Sequence, residues 1–181
     1  MNSTSNADAR ERLARVRLVA LDVDGTLTDG RVVYVGDEER QAFCVRDGQG
    51  IAWLRTAGVE LTWITGRGCR ATERRASELG ITELHVRAGP KREVLAGVQE
   101  RLGIGADETA AMGDDLPDLA LADGATFFAA PADAALEVRA RADLVTNGAG
   151  GSGAVRELAE AILRAKGLWP GILSRYQRPG E

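Results

Sequence analysis

The sequence predicts an α/β fold, a doubly wound and mostly parallel sheet. Three observations carry that expectation. From Leu18 to Lys166, short apolar runs that read as strands alternate with stretches that read as helices. The first run, Leu18-Val19-Ala20-Leu21, is continuously apolar, the pattern of a strand covered on both faces. Several runs end in polar or glycine-bearing steps: Asp22-Val23-Asp24-Gly25, Thr65-Gly66-Arg67 and Gly113-Asp114-Asp115. The carboxyl ends of strands are where open α/β sheets keep their chemistry.

Each element follows in order. After the first strand, Arg31 to Val45 places β-branched and apolar residues around Gly36-Asp37-Glu38-Glu39, which predicts a β-hairpin. Asp47-Gly48-Gln49-Gly50 leads into a helix through about Thr56, stopped by Gly58. Val59 to Ile64 reads as a strand, followed by a charged helix to Leu79 that Gly80 closes. Glu83 to Val86 is a short strand, and Pro90 to Leu102 a helix with Gly103 at its end. Thr109 to Met112 is a strand, Leu116 to Ala122 a short helix, and Thr126 to Ala130 a strand. Asp133 to Ala140 reads as a helix and Leu144 to Thr146 as a strand. Gly-rich Asn147 to Gly153 precedes the last helix, Ala154 to Lys166. No linker or repeat divides the chain. The expected organisation is a single domain over 11–167 carrying a hairpin at 31–45. A disordered segment at 1–10 precedes it, and a tail at 168–181 follows.

Composition narrows the function. At 181 residues, 44% hydrophobic and 28% charged, the chain reads as one soluble globular domain. A net charge of -4 gives no reason to expect nucleic acid, and no apolar stretch approaches a membrane span. Met1 to Ala7 is polar, without an apolar signal core. Cys44 and Cys69 have no metal-ligand spacing and read as reduced thiols of a cytoplasmic protein. The single His85 sits in an apolar stretch, so nucleophile chemistry that needs a histidine base has little to work with.

The strand ends carry the chemistry. Asp22 and Asp24 share one face of their strand and repel each other unless a cation or a shared proton holds them. Only two of 23 basic residues are lysines, Lys91 and Lys166. Lys166 ends a helix, where a cation suits the dipole, but Lys91 starts one, where a cation needs an anion beside it. Carboxylates without histidine or thiolate suit a hard cation, most simply Mg²⁺. Thr65, nearby backbone N–H groups and Lys91 suit a phosphate. Metal and phosphate together suggest phosphoryl transfer.

These motifs resemble those of the haloacid dehalogenase superfamily of phosphatases. Asp22-Val23-Asp24-Gly25-Thr26 looks like its first motif, Ile64-Thr65-Gly66 its second, Lys91 its third and Gly113-Asp114-Asp115 its fourth. The resemblance implies that Asp22 is the nucleophile and forms an aspartyl-phosphate. It implies that Asp24 protonates the leaving oxygen and then activates the hydrolytic water. Mg²⁺ would be held by Asp22, the Asp24 carbonyl and Asp114, with Asp115 assisting, while Thr65, the Gly66 amide and Lys91 hold the phosphate. The gaps between motifs hold only a hairpin with a helix, and a helix with a strand, so no cap domain fits.

Further residues are similar to the capless, tetrameric octulosonate 8-phosphate phosphatases: Asp29-Gly30, Val45-Arg46-Asp47-Gly48, Arg67, Ala142-Asp143 and Gly153-Ala154-Val155-Arg156-Glu157. By resemblance, the substrate is a small sugar-acid phosphate. Asp29, Gly30, Arg46, Asp47 and Arg67 contact it or a neighbouring subunit, and the hairpin is an oligomerisation or lid element. Asp47 read alone could instead cap a helix. Ser152 stands where an arginine is expected, and the tail either supplies Arg175 or Arg178 to a neighbour's site or packs on its own domain. A nonulosonate 9-phosphate phosphatase, a silent phosphatase-like scaffold and a phospho-receiver module stay open as alternatives.

Overall fold

The computed structural model describes residues 3–177. Its frame is a six-stranded sheet, all parallel, in the order β5-β4-β1-β6-β7-β8. The strands are β1 (Leu18–Leu21), β4 (Glu60–Ile64), β5 (Glu83–His85), β6 (Thr109–Met112), β7 (Phe127–Ala130) and β8 (Leu144–Val145). β1 lies between β4 and β6, so strand order reverses at β1, the point where such sheets place ligands. A separate antiparallel ribbon, β2 (Val33–Val35) with β3 (Glu38–Arg40), is the expected hairpin.

Side-chain alternation along the strands builds two cores. Val19 and Leu21 of β1 join Leu61, Trp63, Met112 and Ala129 against α1 (Ser3–Arg15), α2 (Val45–Thr56) and α7 (Ala154–Ala165). Leu18 and Ala20 face the other way, with Ile64, Ala111 and Phe128, toward α4 (Lys91–Leu102), α5 (Leu119–Ala122) and α6 (Leu136–Arg141). α3 (Arg70–Glu78) follows β4. The segment between β1 and β4 holds the hairpin and α2, and that between β4 and α4 holds α3 and β5.

The chain ends differ from expectation. Most of the segment expected to be disordered, 3–10, lies in α1. Its polar sequence hides the reason, which is docking. Leu13 is buried, and Arg12 pairs with Asp143 at 2.9 Å and donates to the Thr126 carbonyl at 2.7 Å. The tail forms α8 (Trp169–Tyr176), with Pro170 in its first turn where no N–H is missed. Trp169 is buried edge-on against Trp53 of α2, whose Nε1 donates to the Tyr176 hydroxyl at 3.3 Å. The tail thus packs on its own domain through Trp169. Arg178 lies outside the described residues.

Candidate active site

Three strand ends and one helix start converge. Asp22 follows β1 and continues its ladder, donating its N–H to the Met112 carbonyl at 3.0 Å. Its carboxylate is buried and meets Lys91 Nζ, at the first residue of α4, at 2.5 Å. The anion that Lys91 requires at a helix start is thus supplied twice over, because the same Nζ meets Asp118 Oδ1 at 2.5 Å. The Lys91, Asp22 and Asp118 side chains keep only 10%, 6% and 3% of their exposure. Burial alone would lower the Lys91 pKa, but the two carboxylates outweigh it and hold the ammonium charged.

Asp114, after β6, completes the acidic group. Asp22, Asp114 and Asp118 each offer an oxygen within 4.8 Å of the others. Glycines make the approach possible. Gly25 has φ +98°, and a Cβ there would overlap the Asp114 carboxylate. A Cβ on Gly113 would collide with Asp118. Thr26 Oγ1 donates to Asp114 Oδ1 at 3.2 Å. The donor set is all carboxylate oxygen, which fits Mg²⁺ and disfavours softer metals.

Asp118, which the sequence does not mark as a site residue, joins Asp22 and Asp114, while Asp115, expected to assist beside the metal, lies outside that group. Asp115 is exposed and accepts from the next N–H, Leu116, at 2.8 Å, capping a short 3-10 turn. Asp118 folds back from that turn, and its Oδ2 accepts the N–H groups of Asp114 and Asp115 at 3.0 and 3.2 Å. The one signal for it is Pro117, which starts a turn and places Asp118 next to Gly113.

Asp24 lies apart from the carboxylate cluster. Its Oδ2 accepts from Thr65 Oγ1 at 2.8 Å and its Oδ1 from Gln41 Nε2 at 2.7 Å. Thr65 Oγ1 in turn accepts the Arg67 N–H at 3.0 Å. Around Gly66, a methyl group would meet nothing within 4 Å, so the backbone after β4 borders open space large enough for a phosphate oxygen.

The remaining expected substrate residues divide. Asp47 is corrected: its carboxylate is buried and accepts the N–H groups of Gly153 at 3.2 Å and Arg156 at 2.7 Å, capping α7 from α2. Burial raises its pKa despite those bonds. Arg46 donates to the Ser152 carbonyl at 3.1 Å, so it braces the Gly-rich segment. Arg67 pairs with Glu39 at 3.1 Å and ties the hairpin to the end of β4. Asp29 is exposed and closes a turn on the Arg31 N–H, and Gly30 at φ +72° sits against Gly25.

Burial and the Asp118 charge push Asp114 up to about 6, and burial pushes Asp22 well above its ordinary value. A raised carboxyl pKa means that the folded, metal-free protein holds the proton more tightly than the unfolded chain does. That stabilisation is present at low pH and is lost as pH rises through about 6. Mg²⁺ requires the ionised form. Its apparent affinity should therefore fall roughly tenfold per pH unit, per proton displaced, below that range. Mg²⁺ titrations of activity from acid to neutral pH measure this, and a flat affinity would contradict it.

No family model matches the chain. The chain is 41% identical over 164 residues to the 3-deoxy-D-manno-octulosonate 8-phosphate phosphatase KdsC of Escherichia coli K12, covering 90% of this chain and 87% of that one. KdsC of Yersinia pestis is 38% identical over 161 residues, 88% of this chain and 86% of the relative. A Moraxella catarrhalis phosphatase of the same name, solved with magnesium, phosphate and KDO, has a TM-score of 0.91 and 37% identity, covering 94% of this chain and 98% of that one. A probable YrbI family phosphatase of Pseudomonas syringae gives a TM-score of 0.92 at 39% identity, over 96% and 99%. With strand ends and acidic cluster arranged as above, the chain belongs to the 3-deoxy-D-manno-octulosonate 8-phosphate phosphatase family of the haloacid dehalogenase superfamily.

Proposed function

We propose that this chain hydrolyses the phosphate monoester of 3-deoxy-D-manno-octulosonate 8-phosphate through an aspartyl-phosphate on Asp22. The observation that carries the reading is the Asp22 carboxylate at the end of β1, clamped to Lys91 at 2.5 Å and two residues from Asp24. In the first step an Asp22 oxygen attacks phosphorus, the bond to the sugar oxygen breaks, and Asp24 protonates that oxygen. In the second, Asp24 takes a proton from water, whose oxygen attacks the phosphoryl group and frees Asp22. Lys91 neutralises charge on the phosphoryl oxygens as it now neutralises Asp22, and Asp118 keeps Lys91 aimed there. Thr65 and the Gly66 amide receive the phosphate, Thr65 turning from Asp24 to do so. Asp22 and Asp114, with Asp118 beside them, would hold Mg²⁺ together with the Asp24 carbonyl that the resemblance adds, and the ion would supply the charge that lets a carboxylate approach a phosphate dianion.

The test is phosphate release with Mg²⁺ from octulosonate 8-phosphate, beside a nonulosonate 9-phosphate and simple sugar phosphates. Preference for the first is the expected result. Preference for the nonulosonate would keep the chemistry and replace the substrate.

The working form is a cytoplasmic homotetramer built on the hairpin. Val33, Tyr34 and Val35 are 50%, 67% and 48% exposed, an apolar ribbon largely uncovered by the rest of the chain. Sedimentation should give a tetramer, and Tyr34→Asp a smaller species with its fold retained. A wild-type monomer at micromolar concentration would remove this element.

A further inference from the structure

The hairpin contributes a side chain that the phosphatase reading leaves unused. Gln41, directly after β3, donates through Nε2 to Asp24 Oδ1 at 2.7 Å. Thr65 holds the other Asp24 oxygen, so two separate elements fix one carboxylate. The orientation of the Gln41 amide is fixed as well. Its Oε1 accepts from Thr72 Oγ1 at 2.6 Å and from Cys69 Sγ at 3.3 Å, both at the start of α3. Thr72 is fully buried, its oxygen accepts the Cys69 N–H at 3.3 Å, and its own proton is donated to Gln41 in the shorter bond. With its oxygen engaged, the amide has only its NH₂ end to turn toward Asp24. A flipped amide would set oxygen against carboxylate and leave no donor for Asp24 Oδ1 on that side.

We propose that Gln41 is a positioning residue for Asp24. Held by Thr72 and Cys69, it fixes the carboxylate where the proton passes to the leaving oxygen as the phosphorus–oxygen bond breaks. Gln41 neither gains nor loses a proton in that step. The proposal rests on the reading of Asp24 as the general acid. Positioning matters because a displacement of about 1 Å in a catalytic group can cost up to ~10²-fold. It also makes the hairpin part of the proton-transfer machinery, since moving β3 moves the group that aims Asp24.

The experiment reads kcat/KM, with Mg²⁺, for the full-length protein and its Gln41→Met, Thr72→Val and Asp24→Asn variants. The substrates are a series of substituted phenyl phosphates with leaving groups of rising pKa, plus the sugar phosphate. Poor leaving groups need the proton and good ones do not. Asp24→Asn should lose ~10²–10⁴-fold on the poorest leaving groups and much less on the best. Gln41→Met should show the same trend at smaller scale, about tenfold at the poor end and within about threefold at the good end. Thr72→Val should lose less than Gln41→Met, and the double variant no more than Gln41→Met alone, because the two act in series. A loss that is uniform across the phenyl series, or confined to the sugar phosphate, overturns the proposal, because a merely structural or sugar-binding role would give that result. If Asp24→Asn itself shows no dependence on the leaving group, the acid assignment is what fails.

Discussion

Replacing Asp22 by Asn should abolish turnover and leave the protein at least as stable. An amide oxygen is not a nucleophile for phosphorus, so kcat should drop by about four orders of magnitude or more. The geometry tolerates the change, because Asn can present its oxygen to Lys91 where the carboxylate now sits. The stability argument is one of sign. Asp22 has a folded-state pKa well above its ordinary value, from burial first and the Asp118 charge second. At neutral pH its ionised form is therefore a net cost to the metal-free fold, and a neutral side chain removes that cost. Thermal unfolding in EDTA should give a variant Tm at or above that of the parent. Quenched single turnovers with labelled substrate should trap phosphate on the parent and none on the variant. Near-parent rates in Asp22→Asn would rule out the aspartyl-phosphate.

Lys91→Met should damage stability and rate together. The methionine keeps most of the volume and removes the one cation that meets both Asp22 and Asp118. Breaking a buried ion pair from one side costs about 3–5 kcal/mol, because it leaves charge without a partner. Here two carboxylates are left facing Asp114. Mg²⁺ binds that arrangement and should recover part of the loss through linkage. The variant should therefore show a larger Tm rise on adding Mg²⁺ than the parent does. Its kcat/KM should fall about 10²–10³-fold, the scale for losing one aimed donor at a developing charge. An unchanged Tm in EDTA would show that the pair does not hold α4 to the sheet.

What the sequence discloses and what it hides follow one physical line. Strand ends are legible because a strand covered on both faces must be apolar, so a carboxylate pair at its end stands out. Asp22, Asp24, Thr65 and Asp114 stand at or just past such ends, and the structure brings Asp22 and Asp114 together. Lys91 is marked instead by its conflict with the helix dipole, and Asp22 and Asp118 resolve that conflict. Residues whose roles depend on a contact distant in sequence were misread or missed. Asp47 sits near the start of one helix yet caps another. Asp118 looks like an ordinary turn acid until Gly113 lets it fold under Lys91. Gln41 lies in a hairpin expected to serve as an oligomerisation or lid element, and nothing in the sequence ties it to Asp24. α1 has little apolar periodicity of its own and is held by Leu13 and the Arg12–Asp143 pair.

The contact between the Gly-rich segment and the loop after β1 also bears on the order in which the molecule is completed. Gly151 donates its N–H to the Thr26 carbonyl at 3.0 Å, and a Cβ on Gly150 would overlap the Gly25 carbonyl. The bonds from Asp47 to Gly153 and Arg156 span 106 and 109 positions. On the ribosome, the loop bearing Asp22 and Asp24 leaves early but lacks the backbone it leans on until most of the chain has followed. A chain stopped before Gly150 therefore carries that loop without its brace. A nonsense mutation just before Gly150 would leave all six sheet strands and the acidic cluster encoded, yet give an inert protein.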